Sequence, residues 1–337
     1  MPRHSLAEFL ALPYPILDVR APLEYAQGHI PGALSLPLFT DEERARIGTT
    51  YKQVSQEKAV LLGLDFFGPR MSTMVKQAQR LAPGRQVRLH CWRGGMRSGA
   101  VLWLLELAGF TVHLLDKGYK DYRRAVLAEF ERPRSWRVLG GFTGSGKTDV
   151  LQHLAQAPHQ QPVLDLEKLA CHKGSSFGSI GQPAQPTQEQ FENELAAVLT
   201  TLPAAPIWVE DESRQIGRLT IPLPLFEQLQ QAPRWVLDVP RPARVAKLAA
   251  EYGSQDPALL SEAVQRLAKR LGGLATKEAL AAIAAGDMAR MVELCLNYYD
   301  KTYAFGLIGQ PGSPPQTTVS VSSSDTAANA LTLLNAA

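Results

Sequence analysis

Apolar residues in this chain alternate between short runs and helical periods. Residues 15–19 form a brief apolar strand pattern, and polar, turn-rich sequence follows. Helical patterns are expected near 41–47, 53–62 and 72–81. A Pro83-Gly84 turn then leads to a strand over 86–90. A glycine-rich loop enters an apolar helix over 98–108, Gly109 stops it, and 111–115 reads as another strand. The pattern then repeats. A strand at 137–140 meets a second glycine-rich loop and a helix at 148–155. Strands are expected at 162–166, 207–210 and 235–239, with a helix at 188–199 between the first two. From 243 to 299 the period is helical throughout. Strands alternating with helices predict an α/β fold with parallel sheets.

The length of 337 residues fits two domains, at ~100–200 residues each. A run with Arg123, Arg124, Arg132, Arg134 and Arg137 around Pro133 reads as a helix entering a junction. The expected divisions are 1–134, 135–309 and a poorly ordered tail at 310–337 with a weak terminal helix, since Gly312, Pro314 and Pro315 precede Thr-, Ser- and Ala-rich sequence.

Charge changes the picture only when divided. The total is 35 Lys+Arg against 32 Asp+Glu. That excludes a long acidic disordered chain and a histone-like basic one. Residues 1–134 carry 19 Lys+Arg against 13 Asp+Glu, whereas 135–337 carry 16 against 19. The first part and the junction are therefore basic, which leaves nucleic acid open as a partner. Three scattered cysteines suit neither a disulfide framework nor a structural metal site. The first residues lack an apolar signal core, and no apolar run reaches the ~18 residues of a membrane span. A soluble, cytoplasmic protein without membrane association is expected.

The first candidate site is Cys91-Trp92-Arg93-Gly94-Gly95-Met96-Arg97-Ser98, between an expected strand and helix. Such a loop turns successive N–H groups toward one point, with a helix N-terminus behind. Those groups, with Arg93 and Arg97, favour thiolate over thiol at Cys91. The result is a nucleophile beside an anion pocket.

Residues 1–125 resemble a rhodanese domain. Asp18-Val19-Arg20, Glu24-Tyr25 and Gly28-His29-Ile30-Pro31-Gly32-Ala33 match that family's N-terminal pattern, and the cysteine loop completes it. The resemblance implies sulfur or selenium carried on Cys91. The spacing C-x5-R is one residue longer than in simple sulfurtransferases and resembles that of phosphatases of the same fold. It implies a pocket for a larger anion, such as a phosphate-bearing chalcogen donor. Residues 39–70 are an expected helical insertion. Asp18 and Arg20 read as an ion pair that fixes the sheet beneath the loop.

The second candidate site, Gly141-Phe142-Thr143-Gly144-Ser145-Gly146-Lys147-Thr148, fits G-x-x-x-x-G-K-[ST] between an expected strand and helix. Backbone N–H groups at Gly141, Thr143, Gly144, Ser145 and Gly146 would cradle phosphates. Lys147 would pair with terminal oxygens, and Thr148 would hold Mg2+. Glu210, Asp211 and Glu212 end an apolar strand and are candidates for the same ion, unranked among themselves. Asp165 and Glu167 would face the same cleft. His172 is a further candidate ligand.

Over residues 1–309 the chain resembles the tRNA 2-selenouridine synthase family. The cysteine loop and the run from Glu210 to Gly217 carry most of this; 48–53, 172–178 and Tyr298-Tyr299-Asp300 support it. Lys173 stands where the family pattern suggests Arg. The resemblance implies a rhodanese-like parallel-sheet domain, then a P-loop NTPase-like α/β domain with a helical C-terminal region. It implies a transferase acting on tRNA with 2-thiouridine at the wobble position. Sulfur is first alkylated from geranyl diphosphate, and selenium from selenophosphate then replaces the S-geranyl group. An S-selanylcysteine would form at Cys91. No tightly bound cofactor and no structural metal are expected; the co-substrates are geranyl diphosphate and selenophosphate, with Mg2+ as a candidate ion. A selenophosphate-producing enzyme is a candidate donor partner. Arg123, Arg124, Arg132, Arg134 and Arg137 are candidate tRNA contacts. The alternative is a rhodanese-fold phosphatase or sulfurtransferase fused to a P-loop kinase-like domain.

Overall fold

The computed structural model describes residues 3–307 and 314–337. The chain divides into two compact units, 1–129 with 192–197, and 130–191 with 198–337.

In the first unit, β1 (Arg3–His4), α1 (Leu6–Ala11), β2 (Ile16–Asp18), α2 (Pro22–Gln27) and β3 (Leu34–Ser35) precede a helical stretch. That stretch comprises α3 (Asp41–Gln53), α4 (Gln56–Phe67) and α5 (Met71–Leu81). Strand β4 (Gln86–His90), α6 (Met96–Leu107), β5 (Thr111–Leu115) and α7 (Gly118–Glu129) complete it. The strands form one parallel sheet in the order β1-β5-β4-β2-β3. Its core gathers Leu17, Val19, Val87, Leu89, Val101, Leu102 and Val112. Helix α1 has no long apolar period, and its start lies in a capping box between Ser5 and Glu8. Helices α3 and α4 pack on each other within the 39–70 stretch.

The second unit begins with β6 (Trp136–Gly140), α8 (Lys147–Ala155), β7 (Val163–Leu164) and α9 (Leu166–Ala170). Helix α10 (Gln188–Thr201), whose residues 192–197 count with the first unit, and β8 (Ile207–Glu210) follow, then a hairpin of β9 (Gln215–Ile216) and β10 (Leu219–Thr220). After α11 (Leu223–Gln231) and β11 (Arg234–Asp238) come α12 (Arg241–Tyr252), α13 (Pro257–Arg266), α14 (Ala268–Leu271), α15 (Gly273–Ala284) and α16 (Met288–Leu307). Strand β12 (Gln316–Ser320) and α17 (Thr326–Ala336) end the chain. The sheet is parallel in the order β12-β11-β6-β8-β7.

Two expectations are corrected here. The strand expected at 162–166 is only Val163–Leu164, because the Asp165 side chain accepts the Lys168 N–H at 2.8 Å and starts a helix. The tail expected to be poorly ordered is, over its described residues 314–337, a strand and a helix; 310–313 lie outside the described residues. The physical reason is burial. Strand β12 pairs with β11 along its whole length, and Val319, Ala330 and Leu333 enter a core with Leu151, Leu154 and Trp235. No helix among the described residues is long and apolar enough to cross a membrane.

Candidate active sites

Cys91 follows β4 directly and is buried at 3% exposure. Parallel strands bring loops together at their carboxyl ends, and the cysteine loop lies there with α6 beginning at Met96. The Ser98 hydroxyl is 3.2 Å from the sulfur. Burial pushes the thiol pKa up. The Ser98 hydroxyl, the N–H groups of Arg93 and Ser98, and the Arg97 charge outweigh it, so the net shift is downward. Cys91 is thus held toward thiolate. Arg97 donates to Glu24 at 2.7 Å, whereas Arg93 is exposed. Met96 is 60% exposed, and Trp92 packs against Tyr119 at 5.7 Å between ring centres.

The loop is backed by the start of α7. Tyr119 and Lys120 donate their N–H groups to the carbonyls of Cys91 and Trp92, each at 2.9 Å. Gly118 sits at φ 61°, and a Cβ there would lie 2.5 Å from the Cys91 oxygen and 2.6 Å from the Gly94 nitrogen. Only glycine allows that approach. Beneath the loop, Arg20 binds Asp18 at 2.6 Å and the Gly28 carbonyl at 2.7 Å, with both side chains buried. The expected ion pair is therefore present. Ser98, Glu24 and Gly118 are the contributors here that sequence reasoning did not single out as site residues; the first two lay within the quoted motifs.

In the second unit, residues 141–146 link β6 to α8. Lys147 Nζ donates to the Gly141 carbonyl at 2.9 Å, and Ser145 is buried within the turn. Gly144 has φ 81°, and a Cβ there would meet Leu248 at 2.7 Å. Arg244 secures the loop from α12. It is 4% exposed, donates to the Thr143 carbonyl at 3.1 Å, and forms two bonds with Asp300 of α16 at 2.9 and 3.0 Å. Its partners come from elements far apart in the sequence.

The acids sort differently from their order in sequence. Carboxylate oxygens of Glu167, Glu210 and Glu212 lie within 4.8 Å of one another. Thr148 Oγ1 donates to Glu167 at 3.1 Å. Asp211 instead lies 3.3 Å from Arg234, and Asp165 caps α9. Glu210 is 2% exposed, and neither carboxylate oxygen has a direct hydrogen-bond partner. Burial, then the Glu167 charge, pushes Glu210 up to about 8. Burial and Glu212 raise Glu167 to about 7, and burial and Glu210 raise Glu212 to about 8. Burial and mutual repulsion outweigh the Lys147 charge at all three carboxylates, and such a cluster beside Thr148 suits a hard divalent cation with oxygen ligands. A cleft of about 610 Å3 opens beside them. Its walls include Lys147, Lys173, Lys247, Phe177, Ile180, Leu248, Tyr252 and Tyr299.

The candidate tRNA arginines are scattered in role. Arg123 pairs with Glu192 and donates to Asn193 at 2.6 Å; Arg124 pairs with Asp121. Arg134 donates to the Arg132 carbonyl at 3.3 Å. Arg137 lies over the Trp208 and Trp235 rings, 5.5 and 5.8 Å from their centres. His172 forms part of a separate groove beside the cleft.

These features define an α/β protein with a rhodanese-type cysteine loop in one unit and a P-loop with an acidic cluster in the other. Comparison with known proteins agrees. Residues 4–125 match the rhodanese-like domain family, and residues 134–312 match the tRNA 2-selenouridine synthase AAA domain. The tRNA 2-selenouridine synthase of Aeromonas salmonicida is 36% identical over 90% of this chain and 90% of its own. Those of Pseudomonas fluorescens and Bordetella bronchiseptica are 37% and 36% identical, each covering 86% of this chain and 88% of their own. The chain belongs to the tRNA 2-selenouridine synthase family.

Proposed function

We propose that this protein converts 2-thiouridine at the tRNA wobble position to 2-selenouridine through an S-geranyl intermediate. The thiocarbonyl sulfur attacks C1 of geranyl diphosphate; the C–S bond forms and diphosphate leaves. Selenium of selenophosphate then adds at C2, and the geranyl thiolate departs. Hydrolysis of the remaining Se–P bond releases phosphate. Alkylation matters because it turns the sulfur into a good leaving group.

The observation that carries this reading is a separate anion cradle in each unit, within a chain of this family. The P-loop amides and Lys147 hold the diphosphate. Thr148, Glu167, Glu210 and Glu212 hold Mg2+, which when bound steadies developing negative charge on a leaving phosphate. The apolar part of the cleft, with Phe177, Ile180 and Leu248, offers burial to a prenyl chain. In the other unit the loop amides and Arg97 hold the phosphate of selenophosphate, and Cys91 beside them keeps the donor selenium in place for attack at C2.

The experiment measures the nucleosides of thiouridine tRNA by mass spectrometry after incubation with both co-substrates. Lys147→Ala abolishes geranylation but leaves selenation of pre-geranylated tRNA. Cys91→Ala does the reverse. Equal loss of both steps in Lys147→Ala contradicts the division. Selenouridine formed by Cys91→Ala from geranylated tRNA at the wild-type rate removes Cys91 from the selenation step. Release of phosphate from an aryl phosphate without selenium incorporation would favour a phosphatase.

A further inference from the structure

The segment from His172 to Gly178 has one side on the P-loop cleft and the other on a second groove. Gly174, Ser175 and Ser213 line both, so the two spaces adjoin across this wall. The second groove, about 600 Å3, is lined by His172, Ser176, Ser179, Gln215, Arg266 and Arg270 with the glycines and serines around them. Its lining includes no carboxylate and no apolar side chain. The P-loop cleft, by contrast, has Asp149, Glu167, Glu212 and Glu251 in its walls.

The two arginines are free for a ligand in a way that several other arginines near the sites are not. Arg20, Arg97, Arg123, Arg234 and Arg244 each face a carboxylate. Among the described residues, neither Arg266 nor Arg270 forms an ion pair. Arg266 makes one hydrogen bond, to the Ser176 carbonyl at 2.9 Å, and Arg270 one, to the Tyr298 hydroxyl at 3.1 Å, with its guanidinium 5.8 Å from the centre of that ring. Each contact positions a guanidinium and leaves most of its donors unused. The wall between the spaces is held from both sides, since the Tyr299 hydroxyl accepts the Ser176 N–H at 3.2 Å. His172 Nδ1 is buried beside the groove without a partner.

From this we infer that the groove is a docking surface for the RNA phosphodiester backbone, with Arg266 and Arg270 each contacting a phosphate. This rests on the reading of tRNA as substrate and adds where its backbone lies. A polar, acid-free groove with two uncommitted guanidiniums matches a phosphodiester strand. Because Gly174, Ser175 and Ser213 border both spaces, a strand docked in the groove runs beside the P-loop cleft.

The test is the salt dependence of binding of full-length protein to thiouridine tRNA. Each phosphate contact contributes about 0.7–0.9 to the slope of log K against log salt. The double variant Arg266→Ala/Arg270→Ala is expected to weaken tRNA binding roughly 10-fold near physiological salt and to lower the slope by about 1–2. Arg266→Lys/Arg270→Lys keeps most of the slope, because charge is retained. Binding of inorganic diphosphate stays at the wild-type level in both. An unchanged tRNA affinity and slope in the Ala variant, with wild-type protein binding tRNA normally, overturns this inference alone. Unchanged tRNA binding with weakened binding of inorganic phosphate also overturns it, and assigns the groove to a small anion. Wild-type protein that fails to bind tRNA overturns the substrate reading together with the groove.

Discussion

The Ser98 hydroxyl lies 3.2 Å from the Cys91 sulfur, seven residues away, at the first turn of the helix that follows the loop. It is the leading contribution that lowers the thiol pKa against the effect of burial. Removing it with Ser98→Ala moves the pH midpoint of Cys91 alkylation upward and slows alkylation at neutral pH. Ser98→Thr keeps the hydroxyl and the wild-type midpoint. The measurement is the rate of iodoacetamide labelling across pH, with the labelled cysteine identified by mass spectrometry. A midpoint in Ser98→Ala equal to wild type removes Ser98 from the site.

The acidic cluster makes a prediction of opposite sign. Glu167 titrates near 7 and Glu210 and Glu212 near 8 in the folded protein, above ordinary glutamate values. A group with a raised folded pKa binds protons more tightly when folded. Its stabilising contribution is complete below the unfolded value of about 4.3 and is lost as pH rises toward 7–8. The second unit in metal-free solution therefore loses stability over that window. Mg2+ competes with those protons, so it raises the melting temperature more at pH 8 than at pH 6. Glu210→Gln removes most of both effects. An Mg2+ shift independent of pH argues against these ligands.

The buried pair of Asp18 and Arg20 supports the cysteine loop from below. Arg20→Ala leaves a carboxylate buried without its partner, at a cost of about 3–5 kcal/mol. Thermal unfolding of the first unit shifts down accordingly. Asp18 titrates below its ordinary range: burial opposes ionisation, and His90 and Arg20 overcome it. Its contribution is present above about pH 4 and fades as pH falls through the lowered value. Wild-type melting behaviour in Arg20→Ala would show that the pair is dispensable.

Deleting residues 314–337 uncovers β11 and the core face beneath α17. Val319 and Leu333 are buried at 3% and 0% exposure. Losing each costs about 1.5–3 kcal/mol, with the ladder to β11 in addition. The truncated protein is expected to unfold at lower temperature or aggregate through its new edge strand. A melting temperature matching the full chain would return this segment to a passive tail.

Both chemical loops were legible from residue type and order alone. A cysteine, two glycines and two arginines between a strand and a helix define one anion cradle, and G-x-x-x-x-G-K-T defines the other. These are local signals, because the atoms that act lie within one turn of chain. The alternation of strands and helices likewise announced two parallel sheets. Tertiary structure alone decided which acid joins which partner. Glu210, Asp211 and Glu212 are consecutive, but β8 ends at Glu210 and the chain turns there, the Glu212 N–H donating to the Glu210 carbonyl at 3.0 Å, so Glu210 and Glu212 meet Glu167 while Asp211 meets Arg234. It also decided that Arg244 holds the P-loop at the Thr143 carbonyl while Asp300, 56 residues further on, holds Arg244. The last segment looked polar and turn-rich by composition, yet the pairing of β12 with β11 buries its few apolar side chains. Such contacts depend on sheet order and packing, which no local pattern in the chain encodes.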